Sequence, residues 1–143
     1  MNNVLIYIAG PMSGYEDFNR ASFNACAKQI NSQDHNEELN LLPDEEAVAV
    51  SPVAIDSAYG LDTFVTEENL EMHLPMISMV NAQAVINSHK LVLLQGWNLS
   101  RGCTFEVSLA YRLKKPLYKL VGRNIREISY REAFKRIYDR VEN

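Results

Sequence analysis

The sequence predicts an α/β fold, a three-layer sandwich with helices on both faces of a mostly parallel sheet of four or five strands. Two observations predict it. Short apolar runs alternate along the chain with longer segments whose apolar residues recur at helical spacing. Those runs are apolar at successive positions, as in strands buried on both faces, and lack the two-residue alternation of an open antiparallel sheet. Strands that alternate with helices form parallel sheets through right-handed crossovers. The chain has 143 residues, 47% hydrophobic and 22% charged, which fits one domain spanning 1–143 and is too short for two separate cores.

Val4 to Ala9 is the first such run and stops at Gly10-Pro11, the pattern of a central strand. Asp17 then offers a cap for a helix in which Phe23, Cys26, Ala27 and Ile30 recur at i, i+3, i+4 and i+7. The polar stretch 31–44, ending near Pro43, reads as an exposed insertion. Ala47 to Val50 gives a short second strand, and Ile55 to Asp62 carries the turn signals of a loop over a cleft. Thr66 to Asn87 has the length of a helix, with Leu70, Leu74, Ile77, Met79, Val80 and Ala84 near one side and Pro75 expected to bend or split it. Leu91 to Leu94 is the third strand, Arg101 to Leu113 a helix, and Pro116 to Val121 the fourth strand. The last helix opens on a capping box, Ser129 with Glu132, and carries a stripe of Ala133, Phe134, Ile137 and Val141.

Composition excludes several classes of function. Fourteen Lys and Arg against eighteen Asp and Glu give a net charge of −4. No basic block exists to neutralise a run of phosphates, so duplex nucleic acid is not an expected partner. No apolar run approaches the roughly 20 residues that span a bilayer, and the first residues lack the features of a signal peptide, so a cytoplasmic protein is expected. Cys26 and Cys103 stand apart in helical contexts, which predicts reduced, buried thiols and neither a metal nor a redox site.

Ligands of open parallel sheets bind beyond the carboxyl ends of the strands, and two loops suit that position. Gly10-Pro11-Met12-Ser13-Gly14 follows the first strand and brings backbone N–H groups within reach of a ligand, yet it equally fits a tight turn. Ser100-Arg101-Gly102 opens a helix, where a hydroxyl and free N–H groups can hold a phosphate or merely cap the helix. Glu106 lies a turn and a half further on among small and apolar residues, placed to act as nucleophile or base or else to face solvent. Trp97 could stack on a base or cover the core, and Arg20 could pair with an anion or remain solvated. Tyr59 and Phe64, in the variable segment between Ser51 and Glu71, are further candidates for contacting a base.

Taken together, Ile6 to Gly14, Asp17-Phe18-Asn19-Arg20 with Phe23, Ser51-Pro52, and Gly96-Trp97 with Ser100, Gly102 and Glu106 resemble the nucleoside 2-deoxyribosyltransferase-like superfamily. The likeness runs in order from residue 4 to about residue 121 and skips the insertion. The resemblance implies a Rossmann-like (flavodoxin-like) sheet, a homodimer or larger assembly, no metal or organic cofactor, and cleavage of the bond between a nucleobase and C1′ of 2-deoxyribose. It implies Glu106 as the nucleophile and Tyr7 as the hydroxyl orienting it. Ser100 would hold a 5′-phosphate, with Gly10, Pro11, Met12, Ser13, Gly14 and Gly102 around it and Arg20 in support. The Ser-x-Gly before Glu106 resembles the branch of 2′-deoxynucleoside 5′-phosphate N-hydrolases, so the expected substrate is a monophosphate. A nucleoside deoxyribosyltransferase, or an inactive nucleotide-binding protein on the same fold, are the alternatives. Where the superfamily places an aspartate near the end of the preceding helix, this chain has Asn81, and eight residues later it has His89. Asn81 can hydrogen-bond a sugar or base but cannot deliver a carboxyl proton. Glu68 and Glu71 are the neighbouring carboxylates that could replace it. His89 itself is expected to be structural.

Overall fold

Five strands run in the order β2-β1-β3-β4-β5 in a computed structural model of the chain, which describes all residues except 1, 59, 61–64, 67 and 143. The elements follow one another as β1 (Asn2–Ala9), α1 (Arg20–Asn31), β2 (Glu45–Val50), α2 (Pro52–Ala58), α3 (Leu70–Asn87), β3 (Lys90–Leu93), α4 (Arg101–Arg112), β4 (Leu117–Val121), β5 (Asn124–Ile128) and α5 (Tyr130–Glu142). β1 pairs in parallel with β2 and β3, β3 pairs in parallel with β4, and β5 returns antiparallel at the edge. The molecule is thus a Rossmann-like three-layer α/β sandwich, with the strand order reversing between β1 and β3.

Because successive residues of a strand point to opposite faces, β1 feeds two cores at once. Val4, Ile6 and Ile8 pack with Phe23, Cys26 and Ile30 of α1, while Tyr7 and Ala9 pack with Val85 of α3 and Cys103, Val107 and Ala110 of α4. Both cysteines are buried and free, and burial pushes both thiols up to about 12, so neither supplies thiolate near neutral pH.

Several sequence expectations need correction. Asp17 does not cap α1. The helix begins at Arg20 after three left-handed residues, Asp17, Phe18 and Asn19, and Asp17 instead pairs with Arg20 at 3.3 Å. The 31–44 stretch is polar but not merely exposed. Leu39 is fully buried in the α1-side core, and the side chains of Asn31 and Gln33 bond the outer edge of β2 through Ala49 N–H and through both the N–H and carbonyl of Ala47. Ile55, expected in a loop, lies in α2.

α3 starts at Leu70, after a turn in which Thr66 and Asn69 bond each other, and it runs unbroken through Pro75. Its buried residues are Leu70, Ile77, Asn81 and Val85, whereas Met79 is 75% exposed. The expected stripe holds at Leu70 and Ile77, partly at Val80 and Ala84, and fails at Leu74 and Met79, because α3 is apolar nearly all round and periodicity alone does not choose a face. The Ser129 cap holds, its hydroxyl accepting from the N–H of Glu132 at 3.1 Å. Among the described residues no helix is long and apolar enough to cross a membrane.

Candidate functional site

Two loops meet at the carboxyl edge where the strand order reverses. The first leaves β1 at Gly10, where a Cβ would come within 2.7 Å of the Leu94 side chain, so only glycine lets the loop cross the neighbouring strand end. Its Pro11 is buried, Met12 half-buried, and Ser13 and Gly14 exposed. The second loop turns at Gly96, held at φ +88° with the Tyr15 hydroxyl above it where a Cβ would stand. Tyr15, which the sequence reading passed over, therefore bridges the two loops. Asn19 fixes the first from the other side by donating to the Pro11 carbonyl at 2.9 Å.

Beneath these loops Tyr7 of β1 and Glu106 of α4 meet. Tyr7 is fully buried and Glu106 is 8% exposed, and the phenol donates to Oε2 of the carboxylate. Burial raises the Glu106 carboxyl to about 7, the Tyr7 hydrogen bond pulls it down, and the charge of Asp56 adds to the rise. Tyr7 itself is raised well above its ordinary value, first by burial and then by the adjacent Glu106 charge. A carboxyl with a pKa near 7 is poised between nucleophile and acid under neutral conditions. The solvent-facing reading of Glu106 is therefore ruled out.

Two more buried polar atoms, Asn81 Oδ1 and Ser51 Oγ, have no hydrogen-bond partner, and their residues are 8% and 6% exposed. Buried polar groups are rarely left unsatisfied, and exceptions concentrate where a ligand completes the bonding. Ser51 directly follows Val50, which is the register partner of Tyr7.

Ser100 caps α4, its side chain accepting from the Cys103 N–H at 3.3 Å, and Gly102 is exposed one residue inside the helix. The cap leaves the helix N-terminus open toward solvent, where an anion is favoured. Arg20 reaches Asp17 and also lines a small cavity of about 20 Å³ with Met12, Phe18 and Asp56.

Other sequence candidates go elsewhere. Trp97 is 4% exposed and packs with Tyr7, Leu93 and Cys103, so its ring fills the core and is not offered to a base. Glu68 and Glu71 are both exposed, and neither replaces a carboxylate at position 81. His89 is structural: its Nδ1 accepts from the Leu5 N–H at 2.9 Å while its backbone N–H donates to the Leu5 carbonyl at 2.8 Å. Tyr59 and Phe64 lie outside the described residues. Among the described residues no group of three or more His, Cys, Asp or Glu could hold a metal ion.

The residue that sequence reading missed is Asp56. It is 7% exposed on α2 and close enough for its charge to act on both Tyr7 and Glu106. Its only sequence signal is an acid in an otherwise apolar stretch, Val53-Ala54-Ile55-Asp56.

Residues 4–119 match the family described as "Domain of unknown function (DUF4406)", and the chain belongs to that family. No curated protein matches it significantly.

Proposed function

We propose that the protein is an N-glycosidase that hydrolyses the base–deoxyribose bond of a 2′-deoxynucleoside 5′-monophosphate in the cytoplasm, with Glu106 as nucleophile. The observation that carries this reading is the buried Tyr7–Glu106 pair beside a helix N-terminus suited to a phosphate. The resemblance to nucleoside 2-deoxyribosyltransferase-like proteins supports the same roles for the same residues.

In this reading the 5′-phosphate rests at Ser100 and Gly102 near the Ser13–Gly14 turn, with Arg20 in support, which leaves C1′ facing Glu106. The carboxylate attacks C1′ as the C1′–N bond breaks, and the electron pair of that bond leaves with the base. Water then attacks C1′ of the glycosyl ester as the C1′–O bond to Glu106 breaks, and the proton it loses neutralises the departed base, leaving 2-deoxyribose 5-phosphate, free base and the Glu106 carboxylate. This is the retaining route, in which one difficult displacement becomes two easier ones. Tyr7 keeps the attacking oxygen aimed and, by donating to it, keeps more of the carboxyl ionised. The unpartnered Oδ1 of Asn81 accepts a hydrogen bond from a sugar hydroxyl or base N–H.

The enzyme acts as a homodimer. Of the eighteen residues of α3 only Glu71 carries a formal charge, and Met72 and Met79 are each 75% exposed beside the half-exposed Met76 and Ile86. A helix apolar on all sides is ordinarily buried, and a second copy laid on α3 would bury it. Sedimentation should give a dimer for the wild type and a monomer for Met79→Glu.

The deciding experiment incubates the protein with a panel of deoxynucleoside 5′-monophosphates and the matching nucleosides and follows released base by chromatography. Base released from monophosphates, and lost by a factor on the order of 10⁴ or more in Glu106→Gln, is the expected result. Exchange of bases between nucleosides with no gain from the phosphate identifies a transferase. Binding of one nucleotide without release identifies a binding protein, the reading that Asn81 in place of a carboxylate favours.

A further inference from the structure

Charge is distributed unevenly along this chain. Eleven of its fourteen Lys and Arg, but five of its eighteen Asp and Glu, come after residue 100, so that segment carries a formal +6 against −10 for the first hundred residues. An acidic protein that gathers its cations toward one end of the chain has a surface suited to anions there.

The fold brings part of that excess to the carboxyl edge of the sheet. Ala9, Leu93 and Lys119 are register partners across β1, β3 and β4. Lys119 therefore stands two strands, roughly 10 Å, from the end of β1. An open groove of about 1000 Å³ crosses these strand ends. Lys119 and Arg136 of α5 line it on the β4 side, Gln95 lines it after β3, and Tyr15 and Asn19 line it on the side of the first loop. Trp97 also borders it and packs in the core cluster of Tyr7 and Cys103, while neither Tyr7 nor Glu106 is among its described lining.

The charges on the β4 side do not cancel. The Lys119 side chain is 13% exposed, and its Nζ lies 3.7 Å from Glu132 Oε2. The other oxygen of the same carboxylate lies 3.5 Å from Arg126 Nη2. One carboxylate thus serves two cations, and among the described residues no carboxylate pairs with Arg136. The Lys119 ammonium is lowered from its ordinary value first by burial and then by the charges of Arg136 and Arg126. An anion held between Lys119 and Arg136 would relieve that repulsion.

We infer that this groove is a second ligand site and takes a phosphate monoester of mononucleotide size, its phosphate between Lys119 and Arg136 and its remainder laid past Gln95 toward Tyr15. The groove is as large as the sites that hold whole small molecules, more than a bare phosphate needs. An Arg fork and a Lys ammonium together suit phosphate oxygens. Gln95, exposed on the turn after β3, adds an amide that both donates and accepts, and Tyr15 is exposed enough for a planar base to lie against it. The site stands whether or not Glu106 cleaves a nucleotide.

The test is an NMR titration of the full chain with adenosine 5′-monophosphate and, separately, with inorganic phosphate. It compares the wild type with Arg136→Gln, Arg136→Glu, Lys119→Gln and Arg131→Gln, thermal midpoints confirming that each variant is folded. Arg136 is exposed, so its variants decide the matter even where Lys119→Gln fails to fold. The nucleotide should shift the amide signals of Gln95, Lys119 and Gly122 saturably, and at lower concentration than phosphate does. Arg136→Gln and Lys119→Gln should each weaken that binding on the order of 10-fold, and Arg136→Glu more. Arg131→Gln removes the same charge from α5 outside the described lining and should change binding by less than about twofold. Signals that move only at Ser13, Gly14 and Gly102 overturn the second site and leave the proposed catalytic one standing. Equal weakening by Arg131→Gln and Arg136→Gln overturns it in favour of a diffuse basic face. Phosphate that binds as tightly as the nucleotide overturns the mononucleotide-sized ligand.

Discussion

Tyr118 and Tyr7 are both fully buried on strands of one sheet, yet they face opposite layers and do opposite things. Tyr118 donates to the Leu39 carbonyl at 3.0 Å and accepts from Asn40 Nδ2 at 3.0 Å and Lys90 Nζ at 3.4 Å, so neutral and cationic partners meet its needs. Tyr7 donates to a carboxylate that burial makes costly to ionise. The first tyrosine fastens the polar segment before β2 to the sheet. The second holds a buried carboxylate in place at an energetic disadvantage to the fold, the balance expected where a site is built into a core.

The sharpest way to expose that disadvantage is pH. Glu106 has a folded pKa of about 7 against an ordinary 4.5, so the stability its protonated form contributes is complete below pH 4.5 and lost as pH rises through 7. The wild type should shed about 3 kcal/mol over this interval through Glu106 alone. Glu106→Gln should not, and urea unfolding of both proteins at pH 5 and pH 8 measures the difference. A gap that does not widen with pH would remove the contrast between the two tyrosines.

Next in size, Tyr7→Phe should lower base release by roughly 10²-fold, the scale of one lost donor in a water-excluded site. It should also move the acidic limb of the pH–rate profile upward, because the phenol that holds Glu106 down is gone. Tyr118→Phe should leave kcat alone and cost about 1–3 kcal/mol of stability by stranding the Leu39 carbonyl. Smallest of all, Ser100→Ala should cost about 1 kcal/mol as a lost cap. In steady-state kinetics it should raise KM for a monophosphate but not for the matching nucleoside, which tests whether the same hydroxyl serves a ligand.

The sheet was legible in the sequence because Val4 to Ala9 and Leu91 to Leu94 are apolar without interruption, and only a strand buried on both faces needs that. β5 was harder to place. Its pattern rests on Ile125 and Ile128 in a five-residue edge strand, too short for a period to show. The left-handed run at 17–19 hid the start of α1 because it arises from the path of the loop and not from a glycine signal. At the site, Glu106 and Tyr7 could be found through a pattern spread along most of the chain. Asp56 could not, since one acid among turn-forming residues reads as solvated until the fold carries α2 over β1. Trp97 misled for the converse reason: a lone aromatic on a loop does not reveal which way its ring turns.

The Asn31 and Gln33 side chains that bond the outer edge of β2 have a consequence for solubility. An open parallel strand presents a row of free N–H and carbonyl groups, a ready template for another chain. Two amide side chains occupy the groups of Ala47 and Ala49 that point outward, acting in place of a sixth strand. Shortening the polar segment to the minimum that would join α1 to β2 would keep the fold's connectivity but bare that edge. The first casualty would be the monodisperse state of the protein, through strand-to-strand growth, before any loss of the core.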